Sequence, residues 1–149
     1  IYYKGDFTGD NSCCGRRENT MWLNDGRYLH FTSRPADQGD QFSFDSQALV
    51  NANQWHHFAT VIDAEGRQMR TYIDGVLSAQ RSYTSAGQIN LNGPWRIGNR
   101  LPSTDGYNGL VDDFAIFDFH KSSRLIRIGH SAMKRRLLRL VPTESTTAS

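Results

Sequence analysis

Turn-forming residues interrupt this chain at short intervals and limit what it can fold into. Gly and Asn tolerate the positive φ angles of tight turns, and Asp favours turns through its side chain. No long amphipathic segment appears before residue 122. The spacing leaves room for short strands and predicts an all-β fold. The turn signals are Asn24-Asp25-Gly26, Gly39-Asp40, Asp63 to Gly66, Asp74-Gly75, Asn92-Gly93-Pro94 and Asp105-Gly106.

Segments between these turns alternate in the period of two that is typical of strands. Apolar side chains occur on both faces of several segments, as expected for inner strands of a two-layer sandwich. The predicted strands include Trp55–Ile62, Gln68–Ile73, Val76–Gln80 and Leu110–Phe119. The predicted core includes Trp55, Phe58, Val61, Ile73, Ile97, Phe114 and Ile116.

The charge pattern changes near residue 120. Residues 1–120 hold 10 Lys and Arg against 14 Asp and Glu, whereas residues 121–149 hold 7 against 1. We therefore predict a domain over 1–120, a basic helical extension over 121–141 with Ser122 or Ser123 as its N-cap, and a disordered tail over 142–149. The basic run could attract nucleic acid or anionic lipid, but it lacks the interleaved aromatic residues that stack on bases, which favours a solvated helix.

Four motifs occur in an order that resembles a known family. They are Trp55-His56-His57-Phe58-Ala59, Tyr72-Ile73-Asp74-Gly75, Ile97-Gly98, and Gly109 to Phe117. Together they resemble the laminin G-like jelly-roll domains of the concanavalin A-like lectin/glucanase superfamily. The resemblance implies an antiparallel two-sheet jelly-roll sandwich whose N-terminal strands are missing. It also implies carbohydrate or protein binding in an exported or surface protein, often with calcium.

Acidic residues near the last motif could bind a cation. Asp112 and Asp113 follow a loop that contains Asp105, and carboxylates with loop carbonyls are the ligands that calcium prefers. In the laminin G-like family an acidic residue at this place can hold such an ion. The alternative is that these carboxylates accept N–H groups within the turn. No other metal or cofactor is expected.

Aromatic residues in or beside the predicted loops are candidates for ligand binding, because sugar faces stack on aromatic rings while polar loop groups fix orientation. Packing in the core or in turns is the alternative for each of them. The aromatic candidates are Trp22, Trp95 and Tyr107, of which Tyr107 is favoured, and Asn108 is a polar candidate in the same loop as Tyr107.

The enzyme signatures of the fold are absent, so no catalytic residue is predicted. Glycoside hydrolases use two carboxylates on one face across the scissile bond, but the nearest pair here, Asp113 and Asp118, has Ala115 in place of the intermediate acid. A Ser-His-acid catalytic triad is kept as an alternative, although no Gly-x-Ser-x-Gly elbow occurs. His56 and His57 would point to opposite faces of a strand, which favours a core role for His57.

The remaining features narrow the class of protein. No stretch approaches the roughly 18 apolar residues of a membrane span. Cys13 and Cys14 are neighbours and cannot form a disulfide framework. We predict a non-catalytic recognition module of a larger exported protein, with carbohydrate favoured over protein as its ligand. A structural or adhesion spacer and a degenerate glycoside hydrolase are the alternatives.

Overall fold

A computed structural model describes residues 1–5, 17–33, 42–63, 65–83, 94–98, 107–117 and 122–140. These residues form eight strands and one helix. The strands are β1 Tyr2–Gly5, β2 Arg17–Leu23, β3 Tyr28–Ser33, β4 Phe42–Leu49, β5 Phe58–Asp63, β6 Gln68–Ile73, β7 Val76–Ser82 and β8 Trp95–Ile97. The helix α1 spans Ser123–Leu140.

The strands form two antiparallel sheets. A five-stranded sheet has the order β4-β3-β2-β1-β8, and a three-stranded sheet has the order β5-β6-β7. Their inner faces pack together, so the fold is the predicted jelly-roll sandwich.

The core lies between the sheets and follows from the strand register. Phe31 on β3 lies opposite Met21 on β2 and Phe44 on β4, so the three side chains share one face. Phe31 and Phe44 meet edge to face with their ring centroids 5.7 Å apart. Their cluster includes Met69 from the second sheet. A neighbouring cluster joins Met21, Leu29, Val50 and Ile73.

The hairpin of β6 and β7 matches the sequence prediction closely. Its turn residues Asp74 and Gly75 have φ angles of 53° and 77°, and two successive positive values are what the favoured two-residue hairpin turns require. Strand β6 has the predicted bounds, whereas β7 continues to Ser82.

The strand predicted over Trp55–Ile62 begins only at Phe58. Trp55 was predicted to be buried but is 51% exposed. The reason lies in the β6–β7 turn, where the Asp74 amide donates to the His57 carbonyl at 2.8 Å and the His57 amide donates to the Asp74 carboxylate at 2.9 Å. These bonds tie the end of segment 55–57 to the turn, and the segment leads into β5 without being part of the strand. They also bring His56 to the same carboxylate.

The predicted strand over Leu110–Phe119 is wrong for its described part, because residues 110–117 have no regular secondary structure. Asp113 has a φ of 52°, which lies in the left-handed region and interrupts an extended chain. Phe114 and Ile116 were predicted to be buried but are 38% and 55% exposed. Ile97, on the edge strand β8, is also exposed.

Helix α1 packs on the outer face of the three-stranded sheet. Ile126 is buried there against Val61 and Tyr72, whose side chains point away from the sandwich core. The hydroxyls of Tyr72 and Ser123 lie 2.9 Å apart, and the Ser122 hydroxyl accepts a bond from the Leu125 amide at 3.4 Å, as predicted for an N-cap. The first turns of the helix therefore pack against the smaller sheet. The domain limits at residues 120 and 141 stay predictions. Residues 142–149 lie outside the described residues.

Asp74 links this helix to the connection before β5. Its carboxylate accepts the amide of His57 and lies 2.8 Å from His56 Nδ1 and 4.0 Å from His130 Nδ1. A Cβ on Gly75 would lie only 3.2 Å from the Arg127 Cα, so the glycine allows the helix to approach the turn. Burial raises the pKa of Asp74, but the bonds from His57 and His56 and the charges of His56 and His130 outweigh it and lower this pKa overall.

Replacing the central core aromatic tests the sandwich packing. Phe31→Ala should lower the free energy of unfolding by about 3–5 kcal/mol, because a fully buried phenyl ring is lost and a cavity remains. Phe114→Ala is the matched control and should cost less, since Phe114 is partly exposed. Urea denaturation measures both values. Equal losses for the two variants would contradict the core described above.

Removing the charge of Asp74 tests the link between turn and helix. A carboxylate with a lowered folded-state pKa stabilises the fold above its unfolded-state pKa, and this contribution disappears as the pH falls through the folded-state value. Asp74→Asn should therefore destabilise the protein at pH 7, and its difference from the parent should shrink below about pH 4. Urea denaturation at both pH values checks this. Asp25→Asn, in the exposed turn before β3, is the control and should change little at either pH. A pH-independent effect of Asp74→Asn would contradict the assignment.

Candidate functional site

Three of the predicted ligand-binding residues belong to β8, at the edge of the larger sheet, or to the segment hydrogen-bonded to the end of β8. We use the name β8-edge surface for Tyr2, Trp95, Tyr107, Asn108 and Phe114. Tyr2 and Trp95 come from neighbouring strands, and Phe114 comes from the segment that follows Tyr107. The three aromatic rings lie 5.8 to 6.4 Å apart, in tilted or edge-to-face contact, within the range that favours aromatic pairs.

Trp95 is the most exposed of the three rings that contact one another. It is 40% exposed. Lys4 lies on the same sheet and is buried, with its ammonium nitrogen 5.8 Å from the centroid of the indole, a distance at which a cation is attracted to the ring. The contacts with Tyr2, Phe114 and Lys4 hold the indole in place while part of it stays accessible.

The segment that carries Tyr107 and Asn108 is tied to the end of β8. The Tyr107 amide donates to the Gly98 carbonyl at 2.6 Å. The Tyr107 ring folds over Gly109, where a Cβ would lie 2.7 Å from the ring atom Cε1. Gly109 therefore makes room for the ring, and Asn108 is left exposed beside it.

The predicted calcium ligands are only partly assembled. Asp112 and Asp113 are exposed, and the Asp113 amide donates to Asp112 Oδ1 at 2.8 Å, which is the turn role considered as the alternative. In the part of the chain that the structure describes, no three His, Cys, Asp or Glu side chains are grouped to hold a metal. Asp105 lies outside the described residues, as do Cys13 and Cys14. Two adjacent carboxylates alone do not supply the six to eight oxygen ligands of calcium.

Trp22 does not belong to the β8-edge surface. Met21 lies opposite Tyr2 in the pairing of β2 with β1, so Trp22 points to the other face of the sheet. Trp95 lies opposite Lys4, which shares the face of Tyr2. Trp22 is therefore on the outer face and Trp95 on the inner one, and the predicted ligand-binding residues do not form a single site.

On the outer face Trp22 joins a set of polar residues that the sequence did not indicate. We use the name outer-face cluster for Trp22, His30, Ser43 and Asp45. The Trp22 and His30 rings lie 4.1 Å apart at 36°. His30 Nδ1 is 2.6 Å from Asp45 Oδ1, and His30 Nε2 is 2.6 Å from Ser43 Oγ. Only the register of β2, β3 and β4 brings them together, and it could not be inferred before the strands were paired.

No helix among the described residues is long and apolar enough to cross a membrane.

The chain resembles a solved S-layer domain-containing protein from Clostridium thermocellum ATCC 27405, residues 221-444, at 18% identity and a TM-score of 0.42 over 84% of this chain and 67% of that one. The comparison with curated proteins finds no match. A family model, Laminin_G_3 of the concanavalin A-like lectin/glucanases superfamily, matches residues 5–127. With this match over most of its length and an antiparallel two-sheet sandwich, the chain belongs to the concanavalin A-like lectin/glucanases superfamily.

Proposed function

We propose that this chain is a recognition module that binds carbohydrate through the β8-edge surface, as part of a protein that is exported or displayed at a cell surface. The observation that carries the proposal is the Trp95 ring, held by Tyr2 and Phe114 and 40% exposed. A fixed, accessible indole can stack on a pyranose ring with little loss of side-chain entropy. The exposed Asn108, in the segment hydrogen-bonded to the end of β8, could supply the polar contacts that orient a sugar.

A protein ligand is the second candidate, and a different observation favours it. The segment beside Trp95 exposes Leu110, Ile116 and Phe117 to 77%, 55% and 49%. Contiguous exposed apolar residues are typical of protein interaction sites. A sugar would use the aromatic face, whereas a protein would cover this apolar segment as well.

Recognition fits the chain better than glycoside hydrolysis. Hydrolases of this fold need two carboxylates on one face, and the sequence between Asp113 and Asp118 lacks the intermediate acid. Calcium at Asp112 and Asp113 is retained as a proposed aid to binding. It would need further oxygen ligands from beyond these two carboxylates.

A glycan array, with and without a calcium chelator, tests the proposal. We expect binding to a subset of glycans, and Trp95→Ala should weaken it at least about fivefold, because truncating a central aromatic at an interface costs about 1 kcal/mol or more. Trp55→Ala is the matched control, since Trp55 is more exposed but lies before β5, outside the β8-edge surface. It should leave glycan binding unchanged.

The arms of this experiment separate the alternatives. If calcium takes part, the chelator and Asp112→Asn should weaken binding alike, and a response to neither would remove calcium from the proposal. Equal effects of Trp95→Ala and Trp55→Ala would contradict the β8-edge surface as the site. The absence of any glycan ligand would leave the protein-binding and spacer alternatives.

A further inference from the structure

The outer-face cluster has the connectivity of a catalytic triad. Ser43 Oγ lies 2.6 Å from His30 Nε2, and Asp45 Oδ1 lies 2.6 Å from His30 Nδ1. In hydrolases with such a triad, the serine is the nucleophile, the histidine removes its proton, and the carboxylate holds the ring in the required tautomer. Here the order along the chain is His30, Ser43, Asp45, and the triad is recognised by geometry rather than by order.

The sheet itself fixes this geometry. His30 on β3 lies directly opposite Asp45 on β4, and Ser43 lies two residues before Asp45, on the same face. The Trp22 ring lies against the imidazole, with the ring centroids 4.1 Å apart and the planes tilted by 36°, and limits its rotation. A carboxylate at Nδ1 favours the neutral tautomer that carries its proton on that nitrogen, which leaves Nε2 free to accept the Ser43 hydroxyl.

We propose that Ser43 is an activated nucleophile and that the outer face of the larger sheet cleaves esters of small acyl groups. This activity goes beyond the proposed recognition function and does not rest on it, because the triad and the β8-edge surface lie on opposite faces of the sheet. Ser43 is exposed and the Asp45 side chain is 48% exposed. An exposed nucleophile is accessible to an ester without an enclosed acyl pocket, and a short acyl group needs no such pocket.

The reaction balances with water as the second substrate. Ser43 Oγ bonds to the carbonyl carbon of the ester while its proton moves to His30 Nε2. The bond from that carbon to the alcohol oxygen breaks, and the alcohol leaves with the proton from His30. Water then gives a proton to His30 and attacks the acyl-serine, and the acid leaves as Ser43 regains its proton. General-base assistance of this kind contributes about 10²–10⁴-fold in rate.

Labelling of the intact chain with a fluorophosphonate probe, followed by peptide mass spectrometry, tests the nucleophile directly. Ser43 should be labelled at least about tenfold faster than Ser82, an exposed serine on β7 that serves as the internal control.

Variants separate activation from a merely structural hydrogen bond. His30→Gln and Asp45→Asn should slow the labelling of Ser43 at least about tenfold without changing that of Ser82. The parent protein should hydrolyse p-nitrophenyl acetate faster than free histidine does, and Ser43→Ala should lower the rate to that of free histidine. Thermal melting checks that each variant folds. Labelling of Ser43 no faster than Ser82 in the parent protein would overturn the proposal whatever the variants do. So would an unchanged labelling rate in folded Asp45→Asn.

Discussion

The register of β2, β3 and β4 is the constraint on which most of this structure depends. Successive residues of a strand point to opposite faces, so the inward position of Phe31 obliges His30 to point outward. Phe31 and Phe44 are buried with Met69 of the other sheet. A slip of one residue would expose both rings and bury His30 and Asp45 in their place, at a large loss of stability. Hydrophobic packing on one face therefore specifies the polar arrangement on the other.

The same alternation separates the two surfaces described above. It continues through β1 into β8, where Tyr2 and Trp95 remain on the inner side of the larger sheet. Among the described residues the smaller sheet has three strands and the larger sheet five, and at the β8 edge the inner face carries exposed side chains, including Trp95 and Ile97. An inner face that is partly uncovered gives an accessible aromatic surface without disturbing the core. At the smaller sheet, the Asp74 carboxylate connects three parts of the chain. They are the β6–β7 turn, the segment before β5 and helix α1.

The parts of the fold that sequence could predict are those set by near neighbours. Asp74-Gly75 specifies its own hairpin turn, and Ser122 caps the helix that follows it, because both devices act within a few residues. Alternation alone was misleading at Leu110–Phe117, where the left-handed conformation of Asp113 interrupts the chain. Alternation was also misleading at Trp55, because its neighbours His56 and His57 contact Asp74, which lies in a turn distant in sequence. The separation of Trp22 from Trp95 and the meeting of His30 with Ser43 depend on pairing across several strands, which one sequence does not reveal.

Nuclear Overhauser contacts between side chains test this register most directly. The account predicts contacts that connect the ring protons of Phe31 or Phe44 with the methyl groups of Met69 and Ala79 across the two sheets. It also predicts contacts between the Trp22 and His30 rings on the outer face. Contacts from the His30 ring to Met69, with the Phe31 ring accessible to solvent, would show the opposite register. They would contradict the core and both surfaces together.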